Sequence, residues 1–343
     1  MKREFKIILS VAIIVVAIGS VYAASRYLLT QNPAGSLTCS PGALPYTAMQ
    51  YSTNQHGISS FPVQSSTAST IQVVAAENFW GSLVSQLGGT RVSVTSIVTD
   101  PNADPHNYET NSANAVAIAD SNLTVINGAG YDSWAERLIA ANPNPTRTVL
   151  NVADLLGRKA GDNPHFWYGP AYVNQTVHQM YLDLVAIDSA GTSYYNQRYT
   201  GLNQSLGPYN SRINEIRQQF SGRRVASTES IFQYLAEAAN LHLISPYPFM
   251  QAVAEGNDPS PGCIAVFQSQ LLNPASPGNA TVLVYNAQTV TPVTEQLKSE
   301  ASNNHIPIVP VTETIQPADA KFQDWMLGEV DALQNALNPS IGQ

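Results

Sequence analysis

The chain has 343 residues, 44% of them hydrophobic and only 12% charged, with a formal net charge of -8 at pH 7. That length supports two domains with separate cores. An acidic balance of this size excludes nucleic acid as a partner and mildly favours cations, and a low charge fraction among many Ser, Thr, Asn and Gln is the composition of an exported protein.

Lys2, Arg3 and Lys6 precede an uncharged apolar run from Ile7 to Ser25, just long enough to cross a hydrocarbon core as a helix. The positive-inside rule then leaves the rest of the chain outside the membrane. Val21-Tyr-Ala23 fits the small-residue cleavage site of a signal peptide equally well, so residues 1–30 are expected to be either a transmembrane anchor or a signal peptide. Residues 31–70 are rich in Ser, Thr, Pro, Gly and Gln and should form a flexible tether. The only two cysteines, Cys39 and Cys263, could pair outside the cytoplasm and tie the tether to the second domain, or remain two free thiols. Neither stands in the close pairs that mark thiolate metal sites.

Beyond the tether, strands and helices alternate. Ile71–Ala75 reads as a strand, Asn78–Leu87 as a helix stopped by Gly88-Gly89, and Arg91–Val98 as a second strand. Ser112–Asp120 and Asp132–Ala141 read as helices, Leu123–Ile126 and Thr148–Leu150 as strands. Ala171–Ile187 and Tyr194–Phe220 are long helical stretches, the second with a kink expected at Pro208. The rhythm then repeats: strand Arg224–Ala226, helix Ile231–Ala239, strand Leu241–Ile244, helix Ile264–Leu272, strand Thr281–Tyr285, helix Thr291–Asn303, strand Ile306–Val309 and helix Ala318–Leu337. Such alternation predicts right-handed parallel crossovers, hence an α/β fold of doubly wound sheets.

Two histidines stand out because each directly follows a proline: His106 in Asp104-Pro-His-Asn-Tyr-Glu109 and His165 in Asn163-Pro-His-Phe-Trp167. The fixed φ and missing amide of proline hold the next side chain on a stiff, non-helical turn. Both turns follow predicted strands, so they should meet at the carboxyl edge of a sheet, where α/β folds bind ligands. This is a candidate metal site, although either histidine alone would read as a surface or core residue.

These motifs resemble those of the zinc/manganese solute-binding proteins of ABC importers, and the similarity runs from about Ile71 to Leu337. The first family motif is matched by Asp104–Glu109, followed by Ala119-Asp120 and the turn Asn127-Gly-Ala-Gly130; the second is matched by Asn163–Trp167. The resemblance implies two further metal ligands, Glu229 in Ser227-Thr-Glu-Ser-Ile-Phe-Gln-Tyr234 and Glu313 in Ile308-Val-Pro-Val-Thr-Glu313. Read alone, Glu229 would be an acidic helix cap favoured by the helix dipole and Glu313 a solvated loop carboxylate. The family pattern usually continues its second motif with Leu-Asp-Pro, where this chain has Tyr168-Gly169-Pro170, and its fourth ligand is more often Asp. The His-rich loop of some zinc-specific members is absent.

What the resemblance implies is an α/β protein of two lobes, residues 71–190 and 222–343, joined by a long linker helix at 191–221, with the metal site in the cleft between them. Its function would be to capture a divalent transition metal outside the cytoplasmic membrane and deliver it to a cognate ABC permease, as a monomer and without enzymatic activity. Two imidazoles and two carboxylates, two from each lobe, would make closure and binding one event. Imidazole suits zinc, whereas carboxylates, above all when bound through two oxygens, suit manganese or iron(II). Manganese and zinc therefore stand equal as cargo, with iron(II) a third candidate. Protons should compete with the ion as pH falls through about 6.5, where imidazoles charge.

Two rival functions share parts of this pattern. A metal-dependent surface adhesin would share the fold, and a zinc hydrolase would share the donors but needs an open water position; the chain lacks a His-Glu-x-x-His helix and a Gly-x-Ser-x-Gly turn. His56, His178, His242 and His305 match no ligand position and read as structural or surface residues. Asn122, Asn174, Asn203 and Asn279 begin glycosylation-type tripeptides, a pattern that also arises by chance.

Overall fold

The computed structural model describes residues 70–100 and 105–338. The expected anchor or signal peptide at 1–30, almost all of the tether, Cys39 and His56 lie outside the described residues. Cys263 is disulfide-bonded. Among the described residues no helix is long and apolar enough to cross a membrane.

Two four-stranded, all-parallel sheets organise the chain. The first contains β1 (Ile71–Glu77), β2 (Val92–Val98), β3 (Leu123–Ile126) and β4 (Thr148–Asn151) in the order β2-β1-β3-β4. The second contains β5 (Arg224–Ser227), β6 (His242–Leu243), β7 (Val282–Asn286) and β8 (Ile308–Val311) in the order β6-β5-β7-β8. Both therefore have the same topology, and in each the order in which strands are added reverses between the first and third strand. Strand composition follows this placement: central β1 is buried at every residue except Gln72, whereas edge strand β2 alternates between partly buried and exposed residues from Val92 to Ser96 and is buried only at Val98.

In the first lobe the crossovers are α1 (Asn78–Gly88), α2 (Ser112–Asp120) and α3 (Ser133–Ala141), with the short α4 (Val152–Leu155) after β4. Asn111 caps α2 through a reciprocal pair of bonds with Asn114. Then come α5 (Pro170–Ile187), α6 (Thr192–Ser205) and α7 (Gly207–Phe220). The expected long helix at Tyr194–Phe220 is thus two segments broken at Leu206. Pro208 lacks an amide hydrogen and crowds the preceding turn, which accounts for a break just before it. The second lobe carries α8 (Gln233–Ala238), α9 (Tyr247–Ala254), α10 (Pro261–Gln270), α11 (Pro292–Asn303) and α12 (Phe322–Leu337). Helix α9 was not legible because prolines at 246 and 248 look like a loop, yet a proline is tolerated in a first turn, where its amide would have no partner.

The expectation of two separate cores is corrected. One apolar cluster runs through both lobes, from Phe79, Trp80 and Leu83 on α1, through Phe166, Trp167 and Tyr168, to Tyr234 on α8 and Trp325 and Val330 on α12. The bridge is the turn after His165: Phe166 stacks on Tyr234 with ring centroids 6.1 Å apart, and Tyr168 meets Trp325 edge-on at 6.3 Å. Smaller clusters cover the other sheet faces, around Trp134 in the first lobe and around Phe249 and Phe267 in the second.

Candidate metal centre

Four loops leave the carboxyl ends of β2, β4, β5 and β8, and each carries one of the four residues singled out in the sequence. His106 sits in a single 3-10 turn, Pro105–Asn107. That turn is pinned by the Trp134 indole, whose Nε1 donates to the Pro105 carbonyl at 3.1 Å, and the His106 ring packs edge-on against Tyr131 with centroids 4.5 Å apart.

His165 is fully buried. The Asn163 side-chain oxygen accepts from the His165 backbone N–H at 3.2 Å and lies 2.6 Å from His165 Nδ1. The orientation of the Asn163 amide follows from its Nδ2, which donates to the Ser230 carbonyl at 2.8 Å. Nδ1 of His165 therefore carries the proton, and Nε2 holds the lone pair that a metal requires. Burial, helped by the neighbouring His106, pushes the His165 imidazole well below its ordinary range. Protonation of this imidazole thus begins at a lower pH than the 6.5 expected for an unperturbed histidine, because charging it requires a cation in a dry site.

Glu229 follows β5 as the residue before a 3-10 turn, but its side chain makes no cap hydrogen bond, so the helix-cap alternative does not hold. The carboxylate is buried and turns towards the first lobe, with Oε1 3.5 Å from His165 Nε2. Glu313 is only 3% exposed, which removes the solvated-loop alternative. Its backbone N–H donates to Gln288 Oε1 at 2.5 Å, Tyr131 Oη donates to its Oε2 at 2.8 Å, and Asn286 Nδ2 donates to its Oε1 at 2.6 Å. One donor atom each from His106, His165 and Glu313 lies within 4.8 Å of the other two. All four predicted residues are thus brought together, two from each lobe, with Glu229 joined through His165.

Three supporting residues were not foreseen in these roles. Asn163 orients His165. Tyr131, whose hydroxyl burial and Glu313 keep protonated, reaches from the first lobe to a carboxylate of the second. Asn286 donates from one nitrogen to Glu229 Oε2 at 2.8 Å and to Glu313 Oε1 at 2.6 Å. A signal for Asn286 existed: the third strand of each lobe ends its apolar run in asparagine, Asn127 in one and Asn286 in the other. Asn127 also works at the site, since its Nδ2 donates to the Pro164 carbonyl at 2.9 Å and steadies the His165 turn. His178, His242 and His305 are exposed and away from the cluster, as expected.

Beside Tyr131 lies a second pair of buried acids, Glu77 and Asp132, both 0% exposed. Asp132 accepts from the backbone N–H groups of Asn127 at 2.6 Å and Gly128 at 2.8 Å, yet burial still pushes its carboxyl up to about 6. Burial, with the Asp132 charge next in importance, drives the Glu77 carboxyl well above the carboxylate range. An acid whose folded-state pKa is raised contributes full stability below its unfolded value, near ~4.3, and loses it as pH rises through the folded value. Glu77→Gln, which keeps the shape and cannot ionise, should therefore melt higher than the wild type at pH 8, with the difference shrinking towards pH 4. Melting curves across that range check this; a variant less stable at pH 8 than at pH 4, relative to wild type, would show that burial does not raise the Glu77 carboxyl.

Comparison with known proteins follows the same geometry. The sequence model of the zinc-uptake complex component A, periplasmic (ZnuA), matches residues 73–336. The manganese-binding lipoprotein MntA of Halalkalibacterium halodurans is 25% identical over 177 residues, 49% of this chain and 57% of that protein. The iron-binding protein YfeA of Yersinia pestis is 25% identical over 183 residues, 50% of this chain and 58% of that protein. The chain thus spans little more than half the length of these relatives. Among solved structures, the solute-binding protein FpvC of Pseudomonas aeruginosa in complex with Mn2+ superposes with a TM-score of 0.64 at 18% identity, covering 78% of this chain and 98% of that one, a likeness of fold. With the family model matching most of its length, two like-wound parallel lobes and both histidine turns at the carboxyl edge of the first, the chain belongs to the family of the periplasmic zinc-uptake component ZnuA.

Proposed function

We propose that this protein is the extracytoplasmic solute-binding component of an ABC importer, capturing one divalent transition metal as cargo between His106, His165, Glu229 and Glu313 and passing it to a membrane permease. What supports the reading is the donor set itself: donor atoms of His106, His165 and Glu313 lie within 4.8 Å of one another, and Glu229 Oε1 lies 3.5 Å from His165 Nε2, with all but His106 buried. Two nitrogens and carboxylate oxygens suit zinc, manganese and iron(II), the metals named among its relatives. Residues 71–190 and 222–343 act as the lobes and 191–221 as their helical connection, and the chain works as a monomer.

The family is one of transport components, and this reading is of a carrier and not an enzyme. A hydrolytic centre keeps a coordination position open to water; here the carboxylates are tied down by Asn286 and Tyr131 and face inward. Hydrogen bonds also cross between the lobes close to the site, from Tyr131 to Glu313, from Asn163 to Ser230 and from Tyr168 to the Thr312 carbonyl. Capture and release therefore proceed by small movements of loops about a shared core, with the lobes staying in contact. The test is unfolding with and without zinc, manganese or iron(II). A rise in melting temperature supports the carrier reading, and melting unchanged by every first-row divalent ion contradicts it.

A further inference from the structure

We infer that Asn286 decides the metal preference of the site by limiting each glutamate to one coordinating oxygen, and so favours zinc over manganese. The inference rests on the carrier reading above and goes beyond it, because the donor types alone leave zinc and manganese equal.

The orientation of the Asn286 amide is fixed by its own contacts. Its Oδ1 accepts from the Gln288 backbone N–H at 2.9 Å, so the other end is the NH2 group. That nitrogen lies 2.8 Å from Glu229 Oε2, 2.6 Å from Glu313 Oε1 and 2.9 Å from Thr289 Oγ1. Its two hydrogens match the two carboxylates, which are the stronger acceptors. Asn286 is 1% exposed, at the last residue of β7 and the reversal point of the second sheet, so it is held by the strand and shielded from water.

The consequence concerns denticity. Glu229 has Oε2 on Asn286 and turns Oε1 to the His165 lone pair at 3.5 Å, so it offers an ion one oxygen. Glu313 has Oε1 on Asn286 and Oε2 on Tyr131, so a two-oxygen grip on one ion would have to share both oxygens with hydrogen bonds. Two imidazoles and two single carboxylate oxygens make four protein donors. Zinc is satisfied by four N and O donors, whereas manganese prefers about six, mostly oxygen. Without the Asn286 amide Glu229 can pivot to present two oxygens and Glu313 keeps only its Tyr131 bond, which raises the donor number towards the count manganese needs.

The test compares wild type with Asn286→Ala, and with Asn286→Ser, which retains a small oxygen for the Gln288 N–H and guards against loss of the fold. Zinc and manganese, each supplied as the free ion, are titrated by competition with a chelator, and the zinc-loaded proteins are examined by X-ray absorption. Wild type should show four nitrogen or oxygen neighbours around zinc. The variants should lose zinc affinity by roughly 10–100-fold, as is usual when a group that orients a ligand is removed, while manganese affinity holds or rises and the zinc coordination number increases. Equal weakening of both ions would show that Asn286 merely supports the fold, and more than four neighbours in wild type would show that the glutamates are not restricted; either overturns the inference while leaving the carrier reading standing. A folded wild type that binds neither ion overturns the carrier reading, and the inference with it.

Discussion

Glu229→Ala should abolish most of the metal-induced rise in melting temperature while leaving the metal-free protein folded. An ion held by residues from both lobes binds the folded chain and not the unfolded one. At about 100 times its Kd it stabilises the fold by roughly 2.7 kcal/mol, or on the order of 4–5 °C for a chain of this size. Glu229 turns a carboxylate oxygen to His165 Nε2, at 3.5 Å, so truncation removes one of the four proposed donors. It should not unfold the protein, because Glu229 lies at the carboxyl end of β5 against polar groups and is not part of the apolar cluster. Removing this buried acid also frees Asn286 Nδ2 from one acceptor, a small cost beside the lost ion. Differential scanning fluorimetry with zinc or manganese reads the result. A variant whose melting temperature still climbs as far as the wild type's would remove Glu229 from the site.

Trp167→Ala should cost about 3–5 kcal/mol of stability, the range for emptying a large aromatic site in a core, and should weaken metal binding as well. Trp167 is fully buried, stacks on Phe79 with centroids 4.1 Å apart, and touches Tyr131 at 5.1 Å and His165 at 5.2 Å. It therefore supports both His165 and the tyrosine that holds Glu313. Trp167→Phe keeps much of the ring contact and removes an indole N–H that finds no acceptor among the described residues, so it should cost markedly less. Urea unfolding of the three proteins separates these outcomes. An alanine variant as stable as wild type would mean that the cluster shared by the lobes does not hold the His165 turn.

What was legible in the sequence was whatever depended on local pattern. Strand runs such as Leu123–Ile126 and capped helices such as Ser112–Asp120 announce themselves through apolar content and polar ends, and the proline before each histidine marks a stiff turn without any knowledge of its surroundings. Glu229 and Glu313 carry no such mark, since a glutamate after a strand looks the same whether it faces water or an ion; only the family resemblance singled them out. The supporting residues depend on contacts across long separations, as with Tyr131 and Glu313, 182 positions apart, and nothing local encodes these. The shared core escaped for the same reason: Phe166, Trp167 and Tyr168 read as part of a ligand motif, while their rings also join one lobe to the other. A disturbance near Pro208 was legible because proline acts through its own ring, but it appeared as a kink in one helix and not as the break at Leu206.

The most direct test of the four-residue site is anomalous X-ray diffraction from crystals of the zinc-loaded protein, with data collected on both sides of the zinc absorption edge. The account predicts one strong peak per chain between the lobes, about 2.0–2.2 Å from a ring nitrogen of His106, from His165 Nε2 and from one oxygen each of Glu229 and Glu313. A peak elsewhere, or one that leaves either histidine or either glutamate beyond coordinating distance, would contradict it.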